Sequence, residues 1–206
     1  MTRFLPQRII AAAVLLVIAL TGLVLHEESL RRSGREVLLA IEAVDPRDLL
    51  TGHYAALDIR EAIAPDAPCP PGVREEPATS LLDARVKQRD WIALAPKGDH
   101  FVAVGADRSR AKASALALVT VWGVMTCNTG FVKTGENAFE RPGSISLDLG
   151  VKRFHADQKQ AEIVSAQLRG GPDAPPAFAV ISVGNDGKAR LRGLMIGGKR
   201  LTLTWF

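Results

Sequence analysis

The residues of this 206-residue chain that could carry chemistry are few and scattered. The four histidines are His26, His53, His100 and His155, and no two of them have the spacing of metal ligands. One polar cluster places His53 near Asp45 and Asp48 along the chain. A hydrogen-bonded surface corner is the simpler interpretation of that cluster, and a functional site is the alternative. We therefore expect no bound metal ion.

The sequence also shows no nucleophile pattern or phosphate-binding loop that would indicate an enzyme. A serine–lysine hydrolase needs an activated serine beside a buried lysine, whereas Ser146 and Lys152 have the sequence settings of surface residues. The glycines form neither a GxxxxGK[ST] nor a GxGxxG loop. We expect no catalytic residue and no cofactor. The alternative is a membrane-tethered hydrolase that joins a serine or a carboxylate pair from distant strands.

Composition argues against a nucleic-acid-binding protein. The net charge is only +4, and the lysines and arginines are mixed with acidic residues along the chain. Aromatic residues make up 5% of the sequence, which leaves few side chains for base stacking. We expect no nucleic acid partner.

An uncharged apolar run over residues 9–25 is the strongest signal in the sequence. Its seventeen residues would extend about 26 Å as a helix, close to the hydrocarbon thickness of a thin bilayer. A single transmembrane signal anchor is the prediction, with the lipid bilayer as a partner. A cleaved secretory signal is the alternative, but Leu23 and Leu25 are bulky for a cleavage site. Arginines flank both ends of the run, so the distribution of positive charge does not decide its orientation. The short N-terminal flank and the long C-terminal part instead predict that the N-terminus lies in the cytoplasm.

The anchor divides the chain into four predicted parts. Residues 1–8 form a cytoplasmic flank, residues 9–25 the anchor, residues 26–35 a juxtamembrane spacer, and residues 36–206 an extracytoplasmic β-rich domain. A domain of about 170 residues can bury its own core without a metal ion.

Short apolar segments between glycine and proline turns predict a mainly β domain, either an antiparallel small barrel or a sandwich. Strands are expected over residues 37–44, 53–60, 91–95, 101–105, 115–124, 144–149, 178–183, 189–195 and 200–205. One packed helix is predicted over residues 157–168, because its apolar residues form a stripe. Exposed loops are predicted over the proline-rich residues 63–80 and over residues 134–143.

A rigid corner between two predicted strands is encoded in residues 44–54. Asp45 can cap a short helix whose first position suits Pro46. Gly52 can then adopt the left-handed conformation that releases the chain into the next strand. The residues of this structural corner, which could also bind a ligand, are Asp45, Pro46, Arg47, Asp48, Gly52, His53, Tyr54 and Leu57.

Two segments resemble a family of bacterial membrane-anchored proteins, the GDYXXLXY family. Its Gly-Asp-Tyr-x-x-Leu-x-Tyr motif is similar to residues 52–59, which here have the sequence Gly-His-Tyr-Ala-Ala-Leu-Asp-Ile. Its Gly-Ile-Glu-x-Tyr-Phe region is similar to residues 150–154. The resemblance implies an anchored extracytoplasmic domain and brings no assigned activity. We expect a single-pass inner-membrane protein with a periplasmic domain.

Three positions depart from the family motifs. His53 replaces the motif aspartate, Ile59 replaces the final tyrosine, and Lys152 replaces the acidic residue of the second region. If the family's acidic positions served metal or acid–base chemistry, this chain has lost part of it. The leading hypothesis is therefore a binding or scaffolding module that partners an integral membrane protein. A ligand-binding protein released into the periplasm after signal cleavage is a further alternative.

Cys69 and Cys127 are the two cysteines of the chain. Outside the cytoplasm they could form a disulfide closing a loop of about 58 residues, which would stabilise the fold by roughly 4 kcal/mol. In a reducing cytosol they would be separate thiols. Both possibilities stay open at the level of sequence.

Overall fold

The computed structural model describes residues 5–43, 54–65, 67–75, 88–133, 139–155, 164, 167 and 175–202. Its elements are α1 (Leu5–Ser33), β1 (Arg35–Ala43), β2 (Tyr54–Ile63), β3 (Arg74–Glu75), β4 (Asp90–Lys97), β5 (His100–Asp107), α2 (Arg110–Leu116), β6 (Val119–Asn128), β7 (Phe131–Lys133), β8 (Phe139–Arg141), β9 (Gly143–Asp148), β10 (Arg153–His155), β11 (Ala177–Val183), β12 (Ala189–Ile196) and β13 (Lys199–Thr202).

Helix α1 is one continuous element that includes the predicted anchor and continues through residues 26–33. Within the described ranges, it is the helix that is long and apolar enough to cross a membrane, over residues 8–33. The β-rich body does not cover its apolar side chains, since Leu15 is 67% and Leu25 65% exposed. The helix ends at Ser33 and is followed by Gly34, where a Cβ atom would lie 2.1 Å from the Ser182 hydroxyl oxygen. Only glycine lets the chain turn this close to β11.

Six strands close into a barrel in the order β1, β2, β9, β6, β4, β5, with β5 returning to β1. The neighbouring strands are antiparallel, except that β1 and β5 run parallel and meet at Leu39 and Phe101. Closure removes the free edges that an open sheet would expose. The predicted mainly β fold is confirmed, and the barrel is the architecture found.

The core is built from alternate residues of the strands, because side chains i and i+2 share a face. Ile59 of β2 pairs with Ile41 of β1 and with Leu147 of β9, and all three side chains are buried. Across the barrel, Ile92 of β4 pairs with Val121 of β6, and neither is exposed. Their apolar contact is the main source of stability that the sequence patterns encode.

Beside β1, three strands extend the sheet beyond the barrel. Residues 35–40 of β1 pair with β11, whereas residues 41–43 pair with β2. β11, β12 and β13 then follow as antiparallel neighbours. Adjacent residues Ile181 and Ser182 are both fully buried, so β11 is covered on both faces. The described part of the chain end thus has the predicted succession of hairpins.

Residues 115–124, predicted as one central strand, instead divide between the end of α2 and the start of β6. The prediction is confirmed for residues 119–124, which lie in β6, and was wrong for residues 115 and 116, which end α2. A short continuous apolar run does not distinguish a strand from a helix. Helix α2 contacts β4, β5 and β6. Its buried residue is Ala113, with no exposed surface.

The structure describes two other predicted segments in part. Residues 134–143, predicted as a loop, include β8, which pairs with β7 in a separate two-stranded ribbon. In the predicted helix over residues 157–168, residues 164 and 167 are described and are helical. The rest of that helix lies outside the described residues. Val164 is fully buried and joins the hydrophobic core.

Candidate functional site

The two motif segments found in the sequence form one structural unit. Strand β2, which begins at Tyr54, pairs antiparallel with β10. Tyr54 and His155 are Cα partners at the edge of this pairing. The backbone N–H of Leu57 donates a hydrogen bond of 2.9 Å to the carbonyl oxygen of Lys152. Segments separated by about a hundred residues in the chain are therefore hydrogen-bonded neighbours.

The described apolar residues of these motifs lie in the hydrophobic core. Leu57 is 5% exposed, Ile59 is 4% exposed, and Phe154 of the second segment is 1% exposed. Because Leu57 and Ile59 are two residues apart on a strand, they share the inward face. For these residues, the motif pattern is explained by packing.

Six residues of the predicted corner lie outside the described residues. They are Asp45, Pro46, Arg47, Asp48, Gly52 and His53. Tyr54 is described through its backbone, as the first residue of β2. The proposal that this corner is structural, or binds a ligand, stays a prediction.

The outward side chains of β2 form an ion-pair network. Arg60 Nη2 lies 2.9 Å from Asp58 Oδ2, and Arg60 Nη1 lies 3.7 Å from Glu42 Oε2. The hydroxyl of Ser146 donates to Asp58 Oδ1 at 3.3 Å. This network connects β1, β2 and β9 on the outside of the barrel. Its carboxylates are occupied by charged and polar partners, which indicates a structural role.

Lys152, which replaces the family's acidic residue, has an acidic partner in this chain. Its ammonium lies 2.8 Å from Asp148 Oδ2. Burial works against ionisation of Asp148, but the hydrogen bonds from Lys152 and from the Gly150 N–H hold the pKa of Asp148 below its ordinary value. An acidic residue at position 152 would instead repel Asp148. In this chain, a lysine at position 152 gives an ion pair with Asp148 in place of that repulsion.

Cys69 and Cys127 form a disulfide, with their Cα atoms 5.9 Å apart. The bond ties the proline-rich segment to barrel strand β6. The same segment contains β3, which pairs parallel with β6, and a carbonyl at Pro71 that accepts a hydrogen bond of 3.0 Å from Ala106 N–H. The described part of this predicted exposed loop is therefore held against the barrel at three points.

A charged cluster joins α1 to the β-rich body, and no sequence pattern indicated it. The Arg190 guanidinium donates through Nε and Nη2 to the Glu27 carboxylate of α1. Its Nη2 also donates to Asp186 Oδ2 at 2.9 Å. The Arg190 side chain is only 8% exposed. These bonds raise the pKa of Arg190 above its ordinary value and lower the pKa of Asp186 to about 2.

The turn between β11 and β12 is also packed against the barrel. Trp122 N–H donates to the Gly187 carbonyl at 2.8 Å, and Trp91 and Trp122 are in ring contact with centroids 5.3 Å apart. Arg110, the first residue of α2, stacks on Trp91 and donates to the Asn185 carbonyl at 2.8 Å. α2, this turn and the end of α1 are therefore joined by direct contacts.

A Ser-x-x-Lys sequence, which the sequence analysis does not include among the nucleophile patterns, runs from Ser109, the N-cap of α2, to Lys112 in its first turn. Both side chains are exposed. A lysine that activates serine must lose its proton, which burial promotes and water opposes. The exposed Lys112 does not meet that requirement. Leu116, the last residue of α2, is 49% exposed, and Leu118, two residues later, is 85% exposed, so the two form an apolar pair at the surface of the body.

Within the described residues, no three His, Cys, Asp or Glu side chains form a group that could hold a metal ion. A family model described as GDYXXLXY protein matches residues 16–194, which is most of the chain. Searches of the curated proteins and of the solved structures found no match.

Proposed function

Because the chain belongs to the GDYXXLXY protein family, which is uncharacterised, we propose its function from its own structure. The protein is a single-pass, membrane-anchored binding or scaffolding module of the bacterial inner membrane. Its β-rich body lies in the periplasm, and its partner is an integral membrane protein. The observation that carries this proposal is the exposed apolar surface of α1.

Exposure of α1 supports membrane anchoring. The side chains from Ile9 to Leu25 project from the helix with no cover from the body. A helix that is apolar on all sides is stable where lipid surrounds it, because each exposed apolar side chain costs free energy in water. The 29 residues of α1 extend about 43 Å, enough for the hydrocarbon core and both headgroup layers.

The disulfide supports a periplasmic body. Disulfides persist in oxidising compartments such as the periplasm and are rare in the cytosol. The Cys69–Cys127 bond joins a loop to a core strand. A fold that uses such a bond is suited to the periplasmic side, which requires a cytoplasmic N-terminus.

Leu116 and Leu118 supply the contact surface for a protein partner. Large apolar side chains on a soluble surface mark contact sites when they cluster. Arg110 connects helix α2 to the β11–β12 turn through a hydrogen bond. Arg190 in turn binds Asp186 of this turn and Glu27 of α1. The apolar pair therefore lies at the end of α2, which is connected to the anchor, and it can reach a neighbouring protein in the same membrane.

Site-specific photo-crosslinking in intact membranes tests this proposal. A crosslinker at position 118 should give one discrete adduct with a membrane protein, whereas a crosslinker at the exposed control position Lys199 should not. Leu118→Asp should lower recovery of that protein about tenfold, an effect typical of losing one interface anchor. The 85% exposure of Leu118 predicts an unchanged fold, checked by tryptophan fluorescence.

Equal adducts at positions 118 and 199, or equal recovery with Leu118→Asp, would contradict a partner at this surface. N-terminal sequencing of the membrane-derived protein tests the anchor separately. A mature chain that begins after residue 25 would support the released periplasmic form instead.

A further inference from the structure

The position of Glu27 sets the depth of the body relative to the bilayer. The apolar run of α1 ends at Leu25, and Glu27 follows two residues later. At 1.5 Å per residue, Glu27 lies about 3 Å along the helix beyond Leu25. A headgroup layer is roughly 5–7 Å thick on each side of the hydrocarbon core. Glu27 therefore lies in the headgroup layer when α1 spans the bilayer.

The turn between β11 and β12, residues 184–188, is fixed at the same depth. Glu27 accepts hydrogen bonds from Arg190, and Arg190 also binds Asp186 within the turn. Since Arg190 is 8% exposed and is held from both sides, the turn cannot swing away from α1 without breaking these bonds. The Lys188 N–H donates to Asp186 Oδ1 at 3.0 Å, which fixes the turn internally.

Lys188 is the cation that this turn presents to its surroundings. The Glu27 and Asp186 carboxylates form their ion pairs with Arg190, and they attract the Lys188 ammonium only through space. In the part of the chain that the structure describes, the Lys188 ammonium has no ion pair, and its residue is exposed. An exposed ammonium at headgroup depth matches the phosphate of an anionic phospholipid.

We propose that the β11–β12 turn is a lipid-contact element in which Lys188 binds the phosphate of an anionic phospholipid headgroup. This inference rests on the proposed membrane anchoring of α1. It adds that the body is held against the bilayer surface in one orientation, rather than hanging from a flexible spacer. Arg190 positions the turn, and Lys188 makes the lipid contact.

Spin labels on the full-length protein in phosphatidylcholine–phosphatidylglycerol vesicles test the depth. Lys188→Cys, Lys199→Cys and Leu16→Cys each add one reactive cysteine beside the Cys69–Cys127 bond. Lys199 is the matched control because it follows the opposite end of β12, about 25 Å away. A label at position 188 should collide less often with a water-soluble relaxant than one at position 199.

The label at position 16 separates this inference from the proposed anchor. It should be buried in the hydrocarbon, and an aqueous label there would overturn membrane anchoring itself. If position 16 is buried but positions 188 and 199 are equally accessible to water, anchoring stands and the lipid-contact element is wrong.

Lipid retention tests the charge recognition. The full-length protein, extracted from mixed-lipid nanodiscs, should retain an excess of phosphatidylglycerol over phosphatidylcholine. Lys188→Gln should lower that excess about fivefold, the contribution of one lysine near an anionic surface, and Lys199→Gln should leave it unchanged. Equal retention by the two variants would overturn phosphate binding by Lys188.

Discussion

Arg190 is a charged side chain that the fold buries by surrounding it with two carboxylates. One comes from α1 and the other from the β11–β12 turn, so the three charges hold together elements that are distant in the chain. A buried charge is tolerated when it is paired and hydrogen-bonded. Arg190 therefore depends on Glu27 and Asp186 for its place in the structure.

The charge of Asp186 predicts a specific loss of stability in acid. Hydrogen bonds from Arg190 hold the pKa of Asp186 at about 2, below the ordinary value of 3.8. Because the folded-state value is the lower one, the carboxylate stabilises the fold fully above about pH 4 and loses this effect as the pH falls toward 2. Denaturant unfolding of the detergent-solubilised protein across this range should show a weaker pH dependence for Asp186→Asn. Parallel curves for the variant and the wild type would contradict this assignment.

Ile59 shows how a departure from the family motif can have a packing explanation. It stands where the motif has its final tyrosine, and it is 4% exposed between Ile41 and Leu147. A buried tyrosine needs a hydrogen-bond partner for its hydroxyl, whereas isoleucine needs none. The sequence identified the departure, and the strand pairing explains why an apolar residue is accepted.

The β11–β12 turn is the element on which several contacts converge. Its conformation depends on Gly187, which has a φ of 76° and lies against the ring of Trp91. A Cβ atom there would lie 2.1 Å from Trp91 Cζ3. Gly198, in the next turn, has a similar φ of 78° but no atom within 4 Å of a Cβ position. Substitutions at these two glycines therefore distinguish the cost of backbone strain from the cost of a steric clash with Trp91.

Replacing these glycines by alanine should give unequal losses of stability. Gly198→Ala is expected to lower the free energy of unfolding by roughly 1–2 kcal/mol, from backbone strain alone. Gly187→Ala should cost a further 1–3 kcal/mol, approximately, because the methyl group displaces Trp91. Denaturant titrations followed by tryptophan fluorescence measure both. Equal losses would show that Trp91 moves aside without cost.

Helix α2 marks the limit of local sequence patterns at the scale of elements. Its alanines and Leu116 merge with the apolar start of β6 into one run, residues 115–124. Most strands were predicted within a few residues because their apolar periodicity and turn glycines are local signals. The boundary between α2 and β6 depends on where Ala113 packs against the barrel, which is a tertiary contact.

At the scale of the whole molecule, an exposed apolar helix is joined to a disulfide-linked barrel. The helix is long and apolar enough to cross a membrane, and the Cys69–Cys127 bond suits an oxidising compartment. Both features fit the proposal that the N-terminus stays in the cytoplasm and the body is exported. In that proposed arrangement, the contact between Glu27 and Arg190 would set the orientation of the body at the membrane surface.

Reporter fusions after Phe206 should therefore follow the periplasmic pattern. Alkaline phosphatase, which needs disulfides, should be active there, and a fluorescent protein that folds only in the cytoplasm should be dark. Trapping of free thiols in cells should leave Cys69 and Cys127 unmodified until a reductant is added. A bright cytoplasmic reporter would contradict both the proposed orientation and the proposed location of the body.

The sequence by itself determined the long apolar helix, the family, the mainly β class and most strands. These features depend on periodicity, turn residues and uninterrupted apolar length, which are read within a short window. Only the tertiary structure decided the closure of the barrel, the pairing of β2 with β10, the disulfide, and the cluster around Arg190. Each depends on at least one contact between residues 58 or more positions apart, and such contacts depend on how the strands are arranged in space.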